Sequence, residues 1–306
     1  GTLNSGPISR SGTASAVFNF NGGTLAAVGS SATHMQGLTS ANVLAGGAFI
    51  NDNGYDIAIG QNLLAGAPSG GLTKTGSGTL SLNGTNTFTG ALTVSAGAVG
   101  GTGWIHAPVT IANGGTLTGE LIVTNTVNVA NGGALRGGTA SHGTLTISNT
   151  VTFASGGILA WAVNDFAGAP GTGSGRLAVS NTLDFAGVSV TLRVASYAGS
   201  APGLADGFNP YAPYTNVVAQ ALTVANFDPV NFTVDTTTAF ANGSKGAWSV
   251  QTNQAGTEVQ LVYLPSQTSE DPIASWTNAP VAITFTGYDK AETLTNFPAL
   301  IALNRY

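Results

Sequence analysis

The sequence predicts an all-β chain folded as a parallel β-solenoid, a stack of short coils around one hydrophobic core. Three observations predict it: a composition that suits strands and starves helices, an apolar–polar–apolar–glycine pattern recurring at steps near 20 residues, and very little charge. The chain has 306 residues, enough for two ordinary domains or one elongated one. Charged residues make up 7% of it, against about 25% in an ordinary soluble domain. Hydrophobic residues make up 42%, which argues against disorder for want of core material. The polar surface therefore falls to Thr, Ser, Asn and Gly. Thr suits a pleated surface, and Gly and Asn supply turns. All four are poor helix formers, and no apolar stretch of helical period has a useful length.

The strongest signal is repetition. Phe18-Asn19-Phe20-Asn21-Gly22-Gly23-Thr24-Leu25 aligns by type with Val109-Thr110-Ile111-Ala112-Asn113-Gly114-Gly115-Thr116-Leu117. Val127-Asn128-Val129-Ala130-Asn131-Gly132-Gly133-Ala134-Leu135 and Val151-Thr152-Phe153-Ala154-Ser155-Gly156-Gly157-Ile158-Leu159 follow the same scheme, with Leu183-Asp184-Phe185-Ala186-Gly187 a weaker fifth. Leu92 to Val99 has the same shape. Steps of 17, 18 and 24 residues separate Leu92, Val109, Val127 and Val151. Repeats of this length mean coils that bury their apolar faces only by stacking. Alternation places Val109, Ile111, Val127, Val129, Val151 and Phe153 on one inward face. A β-sandwich also shows short strands and frequent turns, but the recurring Asn-Gly-Gly register favours the solenoid.

Residues 70–99 read GGLTKTGSGTLSLNGTNTFTGALTVSAGAV. They resemble the passenger-associated transport repeat, the autotransporter-associated β-strand repeat of bacterial surface proteins. Gly70, Gly71, Leu72, Lys74, Gly76, Gly78, Leu80, Leu82, Gly84, Asn86, Phe88, Gly90, Val94 and Gly97 fall where that motif wants them. Gly46 to Tyr55 looks like the coil that precedes such a repeat. The resemblance implies a right-handed β-helix, exported and displayed on a cell surface, with the repeat linked to secretion rather than catalysis.

Residues 175–264 look like the closing section of such a passenger. Two alternating strands lie in 175–196, and Trp248 to Leu264 reads as a hairpin-like pair. Gly199 to Pro213 holds Pro202, Pro210 and Pro213 and reads as a protruding loop. The expected division is a single β-helix over 1–264, a polar linker over 265–272 and a two-strand tail over 273–306. In the tail, Leu294 to Pro298 with Trp276 upstream resembles the opening of a domain of unknown function common in large bacterial surface proteins. Val281–Phe285 and Ala299–Leu303 read as strands, and Val281, Ile283, Phe285, Leu300, Ile301 and Leu303 are candidate self-assembly residues. Two strands are marginal alone, so they are expected to pair with the solenoid, with another chain or with further sequence. The start at Gly1, without Met or a signal peptide, suggests a processed or excerpted piece of a longer precursor.

Chemistry is sparse. The sequence holds no cysteine, which removes disulfides, thiolate metal sites and a Cys nucleophile and weakly favours export. A net charge of -5 without a basic patch argues against nucleic acid. No apolar run reaches the ~20 residues of a membrane span. A β-helix lyase or hydrolase needs carboxylates clustered on one face. Between Gly60 and Val163 the ionisable side chains, Tyr aside, are Lys74, His106, Glu120, Arg136 and His142, which form no dyad. Asp52 and Asp56 flank an Asn53-Gly54 turn and read as solvated turn acids. Asp184, Asp228 and Asp235 share no motif. His34, His106 and His142 are isolated, read as surface or packing residues, and lack metal-ligand spacing. No catalytic residue, metal site or cofactor is expected. Trp104, Trp161, Trp248 and Trp276, with Tyr211 and Tyr214, pack a core and its ends or stack sugars. Trp104, Trp161, Tyr211 and Tyr214 are the candidate glycan residues. The expected role is a non-catalytic surface stalk, adhesin or fibre segment. Its expected partners are copies of itself or a larger parent chain, and surface glycans. A carbohydrate-binding module is the alternative, with a β-helix polysaccharide lyase or glycoside hydrolase behind it.

Overall fold

The computed structural model describes residues 1–139, 141–266 and the strands Ile283–Thr284 and Thr293–Leu294. Each coil passes through three short strands. One runs Leu72–Thr75, Thr79–Leu82, Thr85–Asn86, and the next runs Leu92–Val94, Gly97–Gly100, Trp104–Ile105. Stacked coils therefore make three parallel faces. On the first face Leu72 pairs with Leu92, then Val109, Val127, Val151 and Leu183 follow in one column. Coil length varies along that column, yet the register holds. The surplus goes into corner loops such as 164–174, between Val151 and Leu183.

The strands exist because alternation matches the pleat. Val109, Ile111, Val127, Val151 and Phe153 are 0% exposed and Val129 is 1% exposed. Between them Thr93, Thr110, Asn128 and Thr152 form the outward column. The Asn-Gly-Gly register marks one corner. Gly114, Gly132 and Gly156 there have φ of +80°, +70° and +80°, a region that favours glycine. The N–H of Gly114 donates to the carbonyl of Gly132 at 3.1 Å, and that of Gly132 to Gly156 at 2.9 Å. The corners thus stack as regularly as the strands.

One alignment is corrected. Val17–Phe20 pairs with Ser40–Val43, which in turn pairs with Leu63–Ala65 on the third face, while Thr24–Ala27 joins the first face beside Ala48–Asn51. The Asn21-Gly22-Gly23 turn therefore rounds a different corner from Asn113-Gly114-Gly115. An apolar–polar–apolar strand followed by a Gly turn fits any corner of a three-faced coil, so the pattern gives the period and not the phase.

The C-terminal section also departs from a parallel solenoid running to 264. Gly175–Asp184 spans two faces, pairing with Gly143–Ile147 and with Val151–Phe153. Tyr214–Ala225 adds to it in parallel. Glu258–Pro265 then pairs antiparallel with Tyr214–Ala225 on one side and with Gly246–Thr252 on the other. The tight turn at Asn253–Gly256 sets this reversal: Asn253 Oδ1 accepts the N–H groups of Thr257 and Glu258 at 2.8 and 3.1 Å. The second face ends in the parallel strand Phe232–Ala239, laid on Val190–Ala198. At the other end Thr2–Ser5, Ile8–Ser9 and Val17–Phe20 each begin a sheet. In the tail, Ile283–Thr284 pairs antiparallel with Thr293–Leu294. Trp276, Val281, Phe285, Leu300, Ile301 and Leu303 lie outside the described residues, so the expected strand Ala299–Leu303 does too.

The stacking of Ile111, Val129 and Phe153 makes Val129→Asp a direct test. An unpaired carboxylate there costs several kcal/mol. The variant is expected to lose the cooperative melt of the parent by circular dichroism, and an unchanged melting temperature would show that the register is wrong.

Candidate functional site

The polar residues of the 70–99 segment converge on a buried cage. Lys74 and Asp52 are both 0% exposed. Nζ of Lys74 lies 2.5 Å from Oδ2 of Asp52, a close ion pair in which Oδ2 makes no conventional hydrogen bond. The ammonium donates to the carbonyls of Gly76, Gly78 and Ala96 at 2.8, 2.8 and 3.0 Å. Three donors meet three acceptors, with the carboxylate balancing the charge. Oδ1 of Asp52 accepts the N–H groups of Gly54 and Gly78 at 2.9 and 3.0 Å. Asp52, Lys74 and Ala96 belong to successive coils, so one ammonium ties three together.

The glycines of the motif make room for the cage. At Gly97, with φ +63°, a Cβ would stand 2.6 Å from Nζ of Lys74. At Gly76, with φ +86°, it would run into the Asp52 carboxylate. Asn86, also 0% exposed, ties coils together in the same way at the following corner. Its Oδ1 accepts the N–H of Leu63 at 3.2 Å, and its Nδ2 donates to the carbonyls of Gly84 and Trp104 at 3.0 Å each.

Asp52 is therefore not the solvated turn acid expected from the sequence. The Asn53–Gly54 turn exists, with φ of +55° and +87°. It swings Asp52 inward to a partner one coil later, which a scan of chain neighbours does not see. Asp56 remains exposed and accepts the N–H of Thr79 at 2.9 Å. It borders a shallow groove of about 410 Å³ with Ser30, Ser31 and Ser81. That groove holds one carboxylate, whereas glycoside cleavage needs two.

Asp184, Asp228 and Asp235 serve local turns. Asp184 accepts the Ala186 N–H and the Asn226 amide, both at 2.8 Å. Asp228 accepts the Val230 N–H at 3.1 Å at the head of a short 3-10 turn. Asp235 meets Arg193 at 3.4 Å. Burial raises the Asp235 carboxyl, but hydrogen bonds from Thr238 and Thr237 outweigh it and hold it below its usual range. Ser141 Oγ lies 3.2 Å from Nδ1 of His142, yet Ser141 is 0% exposed and out of reach of a substrate. Among the described residues no three His, Asp or Glu side chains converge as metal ligands, and no helix is long and apolar enough to cross a membrane.

The aromatic candidates separate. Trp161 is 1% exposed and packs edge-on against Phe166 with ring centroids 6.0 Å apart, which removes it from any sugar-stacking surface. Tyr214 belongs to the same cluster. Its ring lies 5.2 Å from Phe166 and 5.4 Å from Phe208, and its hydroxyl donates to the Gly207 carbonyl and accepts the Asn209 N–H at 2.8 and 2.7 Å. Trp248 and Tyr263 complete this aromatic plug at the C-terminal end. Tyr211 is half-buried beside it, its N–H donating to Asn209 Oδ1 at 3.0 Å. Trp104 stands apart, 44% exposed on the third face beside His106.

The fold is a parallel β-solenoid with a buried polar cage at one of its corners. The family model of the passenger-associated-transport-repeat matches residues 72–99, which hold Lys74, Asn86 and the cage glycines. No curated protein sequence matches the chain.

The buried polar groups are open to two tests. Lys74→Met leaves Asp52 charged and unpaired, and Asp52→Asn leaves the ammonium uncompensated; each is expected to lower stability by about 3–5 kcal/mol. The double variant Asp52→Leu/Lys74→Met removes both charges and should lose less than the two singles combined, as denaturant melts would show. His34 is 0% exposed with neither ring nitrogen partnered, in a strand whose register shifts between Ser31 and Met35. Burial lowers its pKa from the usual 6.5. The neutral form is favoured in the fold, so its contribution is complete above about pH 6.5 and is lost as pH falls below that value. Melting temperature should drop from pH 7 to pH 5 in the parent and drop less in His34→Phe.

Proposed function

We propose that the chain is a non-catalytic structural stretch of an extracellular or bacterial-surface protein, a rigid rod that spaces or displays other regions of a larger assembly. The observation that carries this reading is the cage. Lys74 and Asn86, in the segment matching the passenger-associated-transport-repeat, and Asp52, one coil earlier, all bind neighbouring coils, leaving none free for a substrate. The engaged turn acids support the same conclusion. Low charge and continuous inter-coil bonding suit a dense rod that resists proteolysis.

Assays of the purified chain on pectin, alginate and chitin are expected to show no turnover. Cleavage abolished by Asp56→Asn would overturn the structural reading. On cells making the parent protein, antibodies to the solenoid should label the intact surface; label confined to permeabilised cells would rule out display.

Head-to-tail association is a finer reading. Its support is the tail, where Ile283–Thr284 pairs only with Thr293–Leu294 among the described residues, and two strands are marginal alone. A strand of this kind can add to a sheet edge of another chain. The tail residues Val281, Ile283, Phe285, Leu300, Ile301 and Leu303 are the proposed donors. Removing residues 266–306 should shorten particles seen by light scattering and negative-stain imaging. If both forms are monomeric at high concentration, assembly through the tail does not occur.

A further inference from the structure

We propose that Trp104 and His106 form a stacking subsite for a neutral pyranose, so that the rod also holds an uncharged polysaccharide against its third face. Trp104 is the one exposed tryptophan among the described residues. It is 44% exposed, while Trp161 is buried and Tyr214 is tied into the aromatic plug. Its column neighbours are Thr85 on one side and Ile122 on the other. His106 follows two residues later on the same side of the chain, also exposed.

The pair is held in place from below. Asn86 Nδ2 and Ile122 N–H bracket the local backbone by binding the Trp104 and Gly103 carbonyls at 3.0 and 3.1 Å. The His106 carbonyl accepts from Asn125 Nδ2 at 3.2 Å, and its Nδ1 meets Thr124 Oγ1 at 3.1 Å. This fixes the imidazole and turns Nε2 toward solvent. The Trp104 and His106 rings lie within 21° of parallel, with centroids 6.2 Å apart. A sugar sandwiched between them would need two contacts of about 3.5–4 Å, more than that gap allows. It must instead lie on the outer ring surface. There its C–H face meets the indole and its hydroxyls reach Thr85, Thr102 and His106, the usual division of labour for an aromatic with polar neighbours.

Charge selects the ligand. Segments 83–89, 102–107 and 121–126 contain no Lys, Arg, Asp or Glu. Nothing there pairs a uronate or sulfate, so a neutral chain is favoured. No carboxylate pair stands there to cleave it. The inference goes beyond the structural role and does not depend on it, since a rod without a sugar site would pass every test of that role.

The test uses the full chain with cellohexaose, xylohexaose, maltohexaose and chitohexaose, and oligogalacturonate as the anionic control. Binding is read by calorimetry and by quenching of indole fluorescence. At least one neutral oligosaccharide is expected to bind saturably, more tightly than oligogalacturonate. Trp104→Ala should weaken it tenfold or more, Trp104→Phe less, and both should melt like the parent. The proposal is overturned if no neutral probe binds at millimolar concentration, if oligogalacturonate binds as well, or if Trp104→Ala binds unchanged.

Discussion

Each coil of this solenoid leaves two rows of backbone N–H and C=O groups that nothing inside the coil can satisfy. They must meet the rows of the coils above and below, at the same register, on every face. Strand residues alternate so that apolar groups point inward whenever that register is kept. Corners need glycine where the stacked backbone turns left-handed, as at Gly114, Gly132 and Gly156. Coil length, by contrast, is almost free. The 164–174 loop enlarges one coil without disturbing the Val151–Leu183 pairing beneath it.

The same constraint explains how so few charges suffice. Thr, Asn and Gly solvate the outside, and the turn acids satisfy nearby N–H groups. Lys74 is the exception, a cation taken wholly out of water. A buried pair of this kind is weak evidence for stability, because well-packed apolar residues would serve as well or better. Its effect here is on register. Asp52 meets Lys74 only if the two coils stack in one phase. A one-residue slip would turn Lys74 outward and strand Asp52 in the core. The cage therefore penalises wrong pairings in a chain whose Thr- and Gly-rich strands otherwise specify register weakly.

The fold class, the repeat and the inward column from Val109 to Phe153 were legible because each depends on a period, and periods survive in one dimension. The phase of the first segment was not, since Phe18–Phe20 and Val109–Ile111 share a pattern but round different corners. The cage was half legible. Lys74, Asn86 and Gly97 were visible as motif positions, but their partners Asp52, Leu63 and Ala96 are set by coil length. A signal did exist: a lone lysine at an inward position of an alternating strand, Leu72-Thr73-Lys74-Thr75, must find a counter-charge, and Asp52 stands one coil earlier. The aromatic candidates could not be sorted by type. Trp104 and Trp161 differ only in which side of the strand they occupy and in what later chain covers them.

The two ends of the solenoid pose different problems. At the N-terminal end all three faces expose parallel edges that a further coil could continue. At the C-terminal end the third face finishes in the antiparallel strands Glu258–Pro265 and Gly246–Thr252, and the aromatic plug of Phe166, Phe208, Trp248 and Tyr263 fills the core beneath. An antiparallel edge has hydrogen-bond spacing and side-chain phase that do not match an incoming parallel strand. Among the described residues the first and second faces end there in parallel pairing, Thr223, Val224 and Ala225 on Thr182, Leu183 and Asp184, and Phe232–Ala239 on Val190–Ala198. Direct end-on stacking of two solenoids would thus leave the third face unmet, with its buried N–H and C=O groups each a penalty. Continuation of the coil past this end is therefore blocked on the third face by strands that run the wrong way.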